Sequence, residues 1–390
     1  MHVIARLKRI IEIIKEFKGE VPLHDFLKNY FRLHKEMGST DRRIASDTIY
    51  RLFRLGKALC HHHLEERMAA ALFLTGQSAD PLINHVLSNC SSLPVEAMAF
   101  PLDEKLRLVK KIYSDFNEND LFPFNGLSKG CDRHLMSTSM LIQPAVWLRL
   151  RKDRLDSVIR LLDTSTVSFI QEGQRLMLDP GVDPEKIGIS KDWYEVQDRS
   201  SQLTGNFFNA SAGEVWLDCC AASGGKSLLL HSITPDVQLT VCDIRQSSLK
   251  NLAERFKRNG IEKYISVVAD LTKSIPPELT HRQFDGIIAD VPCCGSGTWS
   301  RTPEQATFYN QSETERYNEL QWNIIRNISP LLKAEKPLIY ITCSVFSSEN
   351  EVMTERICQQ LNFRLEKEEL ITGYHHRADN LFVARLIKNS

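Results

Sequence analysis

Apolar residues recur at intervals of three and four along the first third of the chain. Segments such as "IARLKRIIEIIKEF" and "DRRIASDTIYRLFRL" have this spacing, which places their apolar side chains on one face of an α-helix. The spacing predicts a helical region over residues 1–125. The "GST" sequence at residues 38–40 predicts a break in it, and Asp41 is predicted to cap the helix that follows.

The pattern is mixed between residues 126 and 205. "AVWLRLR" and "QRLMLD" alternate between apolar and polar residues as strands do, whereas "RLDSVIRLL" between them has helical spacing. The "DPGVDP" sequence that follows is typical of a loop. We therefore predict a small α/β module of strand, helix and strand.

Short apolar runs alternate with amphipathic helical stretches over residues 206–390. The runs are "EVWLDCC", "VQLTVCD", "ISVVAD", "FDGIIAD" and "PLIYITC". This alternation predicts βαβ units, that is, an α/β fold with a parallel sheet covered by helices on both faces.

Composition narrows the class of protein. With 42% hydrophobic and 25% charged residues, the 390-residue chain is typical of globular proteins and long enough for two or three domains. No apolar run approaches the roughly 20 residues that span a bilayer. Charged residues interrupt the apolar N-terminus, unlike the core of a signal peptide. We expect a soluble, cytoplasmic protein.

Charge is unevenly distributed, although the formal net charge is zero. Residues 1–57 contain 13 lysines and arginines against 7 acidic residues. A basic region of this kind is typical of a surface that binds a polyanion such as RNA, and equally of a solvated helical surface. Charge alone leaves both alternatives open.

Ten cysteines occur at irregular spacing. They are too dilute for a disulfide framework, and the sequence has no C-x-x-C pair of the kind that indicates a zinc site. The run His61-His62-His63 lacks the i, i+4 spacing of two metal ligands on a helix. We predict no metal site and no disulfide.

Small and acidic residues follow the predicted strands of the last region. After the first strand comes "DCCAASGGKS", where Gly224 and Gly225 allow the backbone to approach a ligand closely. Neither a Walker loop nor G-x-G-x-x-G is present, so this turn is not predicted to bind phosphate. The next three strands end in Asp243, Asp270 and Asp290. Three strand-end carboxylates suit a nucleoside ligand without a pyrophosphate, such as S-adenosylmethionine.

Two cysteines are expected at the same edge of the sheet. Cys293 follows the fourth strand and Cys343 ends the fifth. If these strands are neighbours, about 4.8 Å apart, both sulfurs face one small ligand. Ser348 and Glu351 have capping-box spacing, and the positive end of the helix predicted there would favour a nearby thiolate.

Several motifs together resemble those of one enzyme family. "DCCAASGGKS", "VCDIR", "ADVPCCGSG" followed by "RTPE", and "YITCS" followed by "SSENE" resemble, in order and spacing, the RsmB/Sun family of RNA cytosine-5 methyltransferases. "YEVQDRSSQL" is similar to the family's lead-in to the cofactor domain, and the main resemblance covers residues 190–350. It implies a Rossmann-like class I methyltransferase domain at residues 206–390 and an RNA-binding module at residues 126–205. The helices of residues 1–125 resemble the NusB-like RNA-binding domain of bacterial members.

The resemblance also implies roles for individual residues. Cys343 corresponds to the nucleophile and Cys293 to the cysteine that assists product release. From the chemistry of the reaction, Asp290 is our candidate to hydrogen-bond the cytosine in addition to any cofactor contact, and Lys226 is expected to support catalysis. The cofactor contacts implied are Cys220, Ala221, Ala222, Ser223, Gly224, Gly225, Lys226, Asp243, Asp270 and Asp290. Ser223 replaces the usual proline, which makes the cofactor loop less rigid, and Cys294 stands where serine is common.

The chemistry of cytosine explains the need for two thiols. Carbon 5 is a poor nucleophile until a thiolate adds at carbon 6 and makes it enamine-like, after which it accepts the methyl group of S-adenosylmethionine. The adduct must then lose its C5 proton and expel the thiol, and a second group is needed for this step.

The resemblance thus predicts an S-adenosylmethionine-dependent RNA cytosine-5 methyltransferase. We expect a monomer that acts on ribosomal RNA, with transfer RNA as the alternative, and that binds neither metal nor membrane. A mechanism like that of DNA cytosine methyltransferases would make Cys293 the nucleophile and leave Cys343 unexplained. An amino-methyltransferase would need an aromatic residue that "DVPCC" lacks. The alternative that is not an enzyme is a catalytically silent RNA-binding scaffold, which would usually have lost a thiol or an acid.

Overall fold

A computed structural model describes residues 2–390 of the chain. In these residues the helices are α1 (Val3–Glu16), α2 (Leu23–Leu33), α3 (Ser39–Phe53), α4 (Leu64–Thr75), α5 (Pro81–Cys90), α6 (Leu102–Ile112), α7 (Arg133–Ser139), α8 (Leu155–Asp163), α9 (Arg199–Leu203), α10 (Gly225–Ile233), α11 (Gln246–Arg258), α12 (Pro277–Thr280), α13 (Glu304–Phe308), α14 (Glu313–Ile328) and α15 (Glu351–Gln360). The strands are β1 (Val146–Leu150), β2 (Phe169–Glu172), β3 (Arg175–Leu178), β4 (Tyr194–Val196), β5 (Val215–Asp218), β6 (Gln238–Asp243), β7 (Tyr264–Val268), β8 (Gly286–Asp290), β9 (Pro337–Thr342), β10 (Phe363–Ile371) and β11 (Leu381–Lys388).

The chain forms two compact units. One comprises the residues up to Asn125 together with Asp132–Gln143 and Thr298–Asn310. The other comprises Gly126–Cys131, Pro144–Gly297 and Gln311–Ser390. The predicted domain limits at residues 125 and 205 stay a prediction. Among residues 2–390 we find no helix with the length and apolarity needed to span a bilayer.

The first unit is helical, as the apolar spacing predicted. Its core contains the apolar faces of α1 and α3, including Ile10, Ile13 and Ile49, all without exposed surface. The predicted cap is wrong, because α3 begins at Ser39 and Asp41 therefore lies within its first turn. The Asp41 carboxylate instead accepts a hydrogen bond of 2.9 Å from Arg6 Nε of α1.

The second unit begins with the small module. Strand β1 pairs antiparallel with both β3 and β4, and β2 pairs with β3, so that the strand order is β2-β3-β1-β4. The predicted strand, helix and strand are confirmed as β1, α8 and β3. Strands β2 and β4 were not predicted. They lie at the two edges of this sheet and have only four and three residues.

A seven-stranded mixed sheet forms the rest of this unit, and the predicted Rossmann-like α/β fold is confirmed. Its order is β10-β11-β9-β8-β5-β6-β7, and the five strands from β9 to β7 are parallel. The parallel strands predicted from the apolar runs are confirmed, and the sheet continues with β11 and β10, which pair antiparallel and were not predicted. The sequence "FRLEKEELI" of β10 is charged because this edge strand is largely exposed, and it lacks the apolar run that marked the others.

The central strands are buried on both faces. Leu217, Ile287 and Leu338 contribute to the core on one side, while Trp216 and Ile288 contribute to the core on the other. This explains the near-continuous apolar runs from which the strands were predicted. The carboxyl ends of the parallel strands lie at one edge, and the strand order reverses at β5, where ligands bind in folds of this type.

Candidate active site

The turn after β5 depends on a glycine. Gly224 has φ of +84°, and a Cβ atom there would lie 2.9 Å from Leu252 and 3.1 Å from Phe256. A side chain at this position would therefore be strained and would also collide with α11. Helix α10 begins at the next residue, Gly225, and the turn is further held by the N–H of Ala221, which donates to Cys242 O at 2.9 Å.

A cavity of about 410 Å³ lies at this edge of the sheet. Predicted cofactor residues Cys220, Asp243 and Asp270 line it. The remaining wall is provided by Cys219, Ile244, Arg245, Ala269, Leu271, Thr272, Pro292, Leu320 and Ile324. A larger cavity, of about 790 Å³, lies at the opposite edge near the starts of β6 and β7, and no predicted site residue lines it.

Backbone groups fix the acid at the end of β6. The Asp243 carboxylate accepts hydrogen bonds from the N–H of Ala222 at 2.9 Å and from the N–H of Arg245 at 2.8 Å. It is thereby bound directly to the glycine turn, and Ala222 itself has φ of +45°. The Asp243 carboxylate thus connects the glycine turn to the loop that follows β6.

The acid near β7 is held by its own loop. Asp270 lies two residues beyond the end of β7, and its Oδ1 accepts from the hydroxyl of Thr272 at 2.5 Å and from the Thr272 N–H at 3.1 Å. The Thr272 hydroxyl lowers the pKa of Asp270, with Lys273 acting in the same direction. The carboxylate is therefore ionised at neutral pH.

The two cysteines identified from the strand ends meet. Strands β8 and β9 are neighbours, and the Sγ atoms of Cys293 and Cys343 lie 3.2 Å apart. This is a thiol contact and not a disulfide, whose S–S length is about 2.05 Å. The hydrogen bond with Cys343, followed by burial, raises the pKa of Cys293 well above its ordinary value.

Cys294 points elsewhere. Its Sγ lies 3.3 Å from the hydroxyl oxygens of Ser296 and Ser344, and burial followed by the charge of Glu349 raises the pKa of this thiol strongly. Of the two adjacent thiols, Cys293 is therefore the one that faces Cys343.

Lys226 forms an ion pair at the centre of the site. Its Nζ donates to Asp290 Oδ2 at 2.9 Å and to Ser201 Oγ at 2.8 Å, and the residue is only 7% exposed. Asp290 is not among the residues that line the cavity of about 410 Å³, and its structural contact is the ion pair with Lys226.

A fourth acidic residue at the end of a strand was not predicted as a site residue. Asp218 ends β5 and is buried; the Ser227 hydroxyl donates to its Oδ2 at 2.6 Å, whereas its Oδ1 has no hydrogen-bond partner among residues 2–390. Burial raises the pKa of Asp218 to about 7, and the charge of Asp290 contributes to the increase. The strand-end criterion that identified the other three acids also applies to this one.

The lead-in segment supplies two further polar residues. Gln197 donates through Nε2 to Ser201 Oγ at 3.3 Å and to the Gly225 carbonyl at 3.2 Å, and its Oε1 accepts from Arg149 at 2.9 Å. The small module is by this means connected to Lys226. The sequence singled out "YEVQDRSSQL" as a motif, but only the fold reveals these contacts.

Arg255 holds the residue that replaces the usual proline. Its Nη1 donates to the Ser223 carbonyl at 2.7 Å and to the Ser223 hydroxyl at 3.0 Å. Glu195 of β4 is buried and accepts from Arg255 at 2.7 and 3.0 Å, which fixes the guanidinium. The cofactor turn, which was expected to be less rigid because of Ser223, is therefore restrained by Arg255 of α11.

Comparison with known proteins is consistent with this arrangement. Residues 206–386 match the family described as "16S rRNA methyltransferase RsmB/F". The chain is 27% identical over 221 residues to ribosomal RNA small subunit methyltransferase B of Vibrio cholerae, covering 55% of this chain and 50% of that protein. The chain spans about half the length of the curated relatives it matches.

Two solved structures share the fold. PH0851 superposes with a TM-score of 0.67 at 18% identity, covering 97% of both chains. NSun6 from Pyrococcus horikoshii, solved with SFG, superposes with a TM-score of 0.55 at 15% identity, covering 63% of this chain and 91% of that one.

Proposed function

We propose that this chain, whose residues 206–386 belong to the RsmB/F family of rRNA methyltransferases, methylates carbon 5 of cytosine in RNA with S-adenosylmethionine as methyl donor. The observation that carries the proposal is the 3.2 Å approach of the Cys293 and Cys343 thiols. The cavity bounded by Asp243 and Asp270 includes Pro292, the residue before Cys293. Methyl donor and nucleophile would therefore meet at one edge of the sheet.

The cavity fits a nucleoside with a cationic group. Its volume of about 410 Å³ lies within the range of roughly 300–1,000 Å³ for small-ligand sites. Carboxylates accept hydrogen bonds, so Asp243 suits ribose hydroxyls and Asp270 suits an adenine amine. Ile244, Leu320 and Ile324 offer apolar surface to the adenine ring. NSun6, a structural neighbour, was solved with an S-adenosylmethionine analogue, which supports this choice of ligand.

Cys343 is the proposed nucleophile. Its thiolate adds to cytosine C6, forming an S–C6 bond and moving the electron pair of the C5–C6 double bond to C5. When bound, S-adenosylmethionine supplies an electrophilic methyl group and leaves as S-adenosylhomocysteine. The Cys343 side chain remains attached to the methylated base until the C5 proton is lost.

Cys293 is proposed to complete the cycle. Transfer of the C5 proton to water restores the C5–C6 double bond and expels Cys343 as a thiolate. The raised pKa of Cys293 means that this thiol carries its proton at neutral pH, so it can hydrogen-bond the departing sulfur. The net products are 5-methylcytosine, S-adenosylhomocysteine and one proton.

Asp290 and Lys226 are proposed to orient the base. An ionised carboxylate can accept a hydrogen bond from the exocyclic amine, which orients the ring for attack at C6. Lys226 supports catalysis by holding Asp290 Oδ2 at 2.9 Å in a single orientation.

The proposed substrate is ribosomal RNA of the small subunit, with transfer RNA as the alternative. The matching relatives are named ribosomal RNA small subunit methyltransferase B, and the chain spans about half of their length. A cytosine must leave its stack to reach paired thiols, so the target is an unpaired or flipped base. The surplus of basic residues in 1–57 would contribute contacts with phosphates. The predicted monomeric state and the absence of metal stay predictions.

The direct test is methyl transfer to defined RNAs. Purified protein is incubated with methyl-labelled S-adenosylmethionine and either small ribosomal subunits, their naked RNA or bulk transfer RNA, and the labelled nucleoside is identified by mass spectrometry. We expect 5-methylcytosine in ribosomal RNA. Label in transfer RNA alone would mean that transfer RNA, and not ribosomal RNA, is the substrate. No label in any RNA would favour the catalytically silent RNA-binding scaffold.

Replacement of Arg255 by Met should weaken binding of S-adenosylmethionine roughly tenfold, since the hydrogen bonds of a charged donor to Ser223 contribute about 1.5–3 kcal/mol. Isothermal titration calorimetry measures the Kd. The matched control is Arg258→Met, which removes a hydrogen bond to the same Glu195 and leaves both bonds to Ser223 intact. Equal losses in the two variants would contradict a role for Arg255 at the turn.

A further inference from the structure

We infer that two adjacent buried residues, Glu349 and Asn350, are positioning residues that set the distance between the two active-site thiols. Each of them holds the loop of one cysteine. The importance of that distance for methyl transfer depends on the function proposed above, whereas the contacts that set it do not. Both residues belong to the "SSENE" motif, which has no role in the chemistry described so far.

Glu349 holds the loop of Cys293. It has no exposed surface, and its Oε1 accepts from the N–H of Cys294 at 3.0 Å and from Gln321 Nε2 at 2.9 Å. The same Gln321 nitrogen donates to the Pro292 carbonyl at 3.0 Å. The peptide groups on both sides of Cys293 are thus bound to one carboxylate and its glutamine partner.

Asn350 holds the loop of Cys343 in the same manner. It too has no exposed surface, and its Oδ1 accepts from the Thr342 hydroxyl at 2.5 Å. Its Nδ2 donates to the Ser344 carbonyl at 2.9 Å and to the Ser128 hydroxyl at 2.7 Å. The residues before and after Cys343 are therefore both attached to this amide.

Because Glu349 and Asn350 are consecutive residues, their hydrogen bonds together restrain the distance between the loops of Cys293 and Cys343. Consecutive Cα atoms are 3.8 Å apart across a trans peptide. Tyr340 of β9, also fully buried, contacts the Glu349 carbonyl through its hydroxyl at 2.6 Å, which fixes this pair relative to the sheet. The two cysteines lie in loops beyond the paired parts of β8 and β9, where the Gly297 N–H also donates to the Cys343 carbonyl at 2.8 Å. The contacts of Glu349 and Asn350 add restraints on the residues that flank each cysteine.

The two residues are expected to affect different steps. Loss of the Glu349 bonds loosens the loop of Cys293 and so slows release of the methylated base. Loss of the Asn350 bonds loosens the loop of Cys343 and so slows formation of the covalent adduct. A misplacement of about 1 Å can reduce a rate roughly 100-fold when reacting groups must be aligned.

The first experiment measures the distance without RNA. Diamide oxidises two neighbouring thiols to a disulfide and takes up their two protons and two electrons, and peptide mapping follows the bond between Cys293 and Cys343. Glu349→Ala and Asn350→Ala should form it roughly tenfold more slowly than wild type. Glu349→Gln keeps an acceptor oxygen and should match wild type. Thr354→Ala in α15 is the control, since this hydroxyl bonds to Glu368 and to a backbone carbonyl.

The second experiment separates the two steps with RNA. On a denaturing gel, Glu349→Ala should accumulate a covalent RNA adduct although it retains Cys293, while Asn350→Ala in a Cys293→Ala background should form that adduct more slowly. The Kd for S-adenosylmethionine should not change in Asn350→Ala, because the residues that Asn350 contacts do not line the cavity. If Asn350→Ala fails to fold, the experiment uses Asn350→Asp, which loses the two N–H donors of the amide and keeps an acceptor oxygen.

Each outcome decides the inference. Wild-type rates of disulfide formation in folded Glu349→Ala and Asn350→Asp would overturn it, and so would a Glu349→Gln variant as slow as Glu349→Ala. If wild type methylates no RNA yet the disulfide rates divide as expected, the proposed function fails and the positioning role stands.

Discussion

Cys293→Ala should accumulate as a covalent complex with RNA on a denaturing gel, whereas Cys343→Ala should neither attach to RNA nor methylate it. Removal of a nucleophile lowers turnover by on the order of 10⁴–10⁶-fold. Removal of the partner thiol leaves adduct formation intact and blocks elimination. The 3.2 Å contact places both sulfurs at one site, and the resemblance of the motifs implies their opposite roles.

The neighbouring Cys294 supplies the matched control. Its thiol points towards Ser296 and Ser344, so Cys294→Ser should leave methyl transfer and adduct level close to wild type. Trapping of Cys343→Ala in place of Cys293→Ala would exchange the two roles and restore the mechanism of the DNA enzymes. If neither variant is trapped and wild type transfers no methyl group, the scaffold alternative is favoured.

Asp218→Asn should abolish a large pH dependence of stability. In the folded protein the pKa of Asp218 is raised to about 7 by burial, compared with an ordinary value of 3.8. Between these values the folded state keeps a proton that the unfolded state releases. The contribution of Asp218 to stability is therefore fully present below pH 3.8 and is lost as pH rises to 7.

The size of the effect follows from linkage. Each pKa unit corresponds to about 1.4 kcal/mol, so between pH 5 and pH 8 wild type should lose roughly 3 kcal/mol of unfolding free energy relative to Asp218→Asn. Urea denaturation at the two pH values measures this difference. An asparagine cannot ionise, and its oxygen can still accept the hydrogen bond from Ser227.

Asp285 provides the control for this measurement. Burial raises its pKa but hydrogen bonds from Lys333 and the Val215 N–H outweigh it, and the result is a pKa below 3.8. Asp285 is thus ionised throughout pH 5 to 8 in both states, and Asp285→Asn should show the wild-type slope. The same slope in Asp218→Asn would mean that folded Asp218 is already ionised at pH 5.

Local patterns were sufficient for the framework of the site. Apolar runs reported which segments are buried on both faces, and this predicted β5 to β9 and hence the edge where Asp243 and the two cysteines lie. The motifs added a prediction of the ligand and of the roles of Cys293 and Cys343, and these roles stay predictions. The placement of the strands and of their carboxyl ends was predicted correctly because it depends on residues close together in the chain or on the general geometry of parallel strands.

Packing between distant segments decided the remainder. Strand β10 is charged and exposed, so its pairing depends on β11 and not on its own pattern. Arg255 reaches Ser223 across 32 residues, and Gln321 reaches Glu349 across 28. Asp41 was predicted to cap α3, but its carboxylate instead binds Arg6, which lies 35 residues away on another helix. The local sequence around Asp41 does not reveal such a partner. Periodicity states whether a side chain is buried; which group it then hydrogen-bonds depends on how the elements pack.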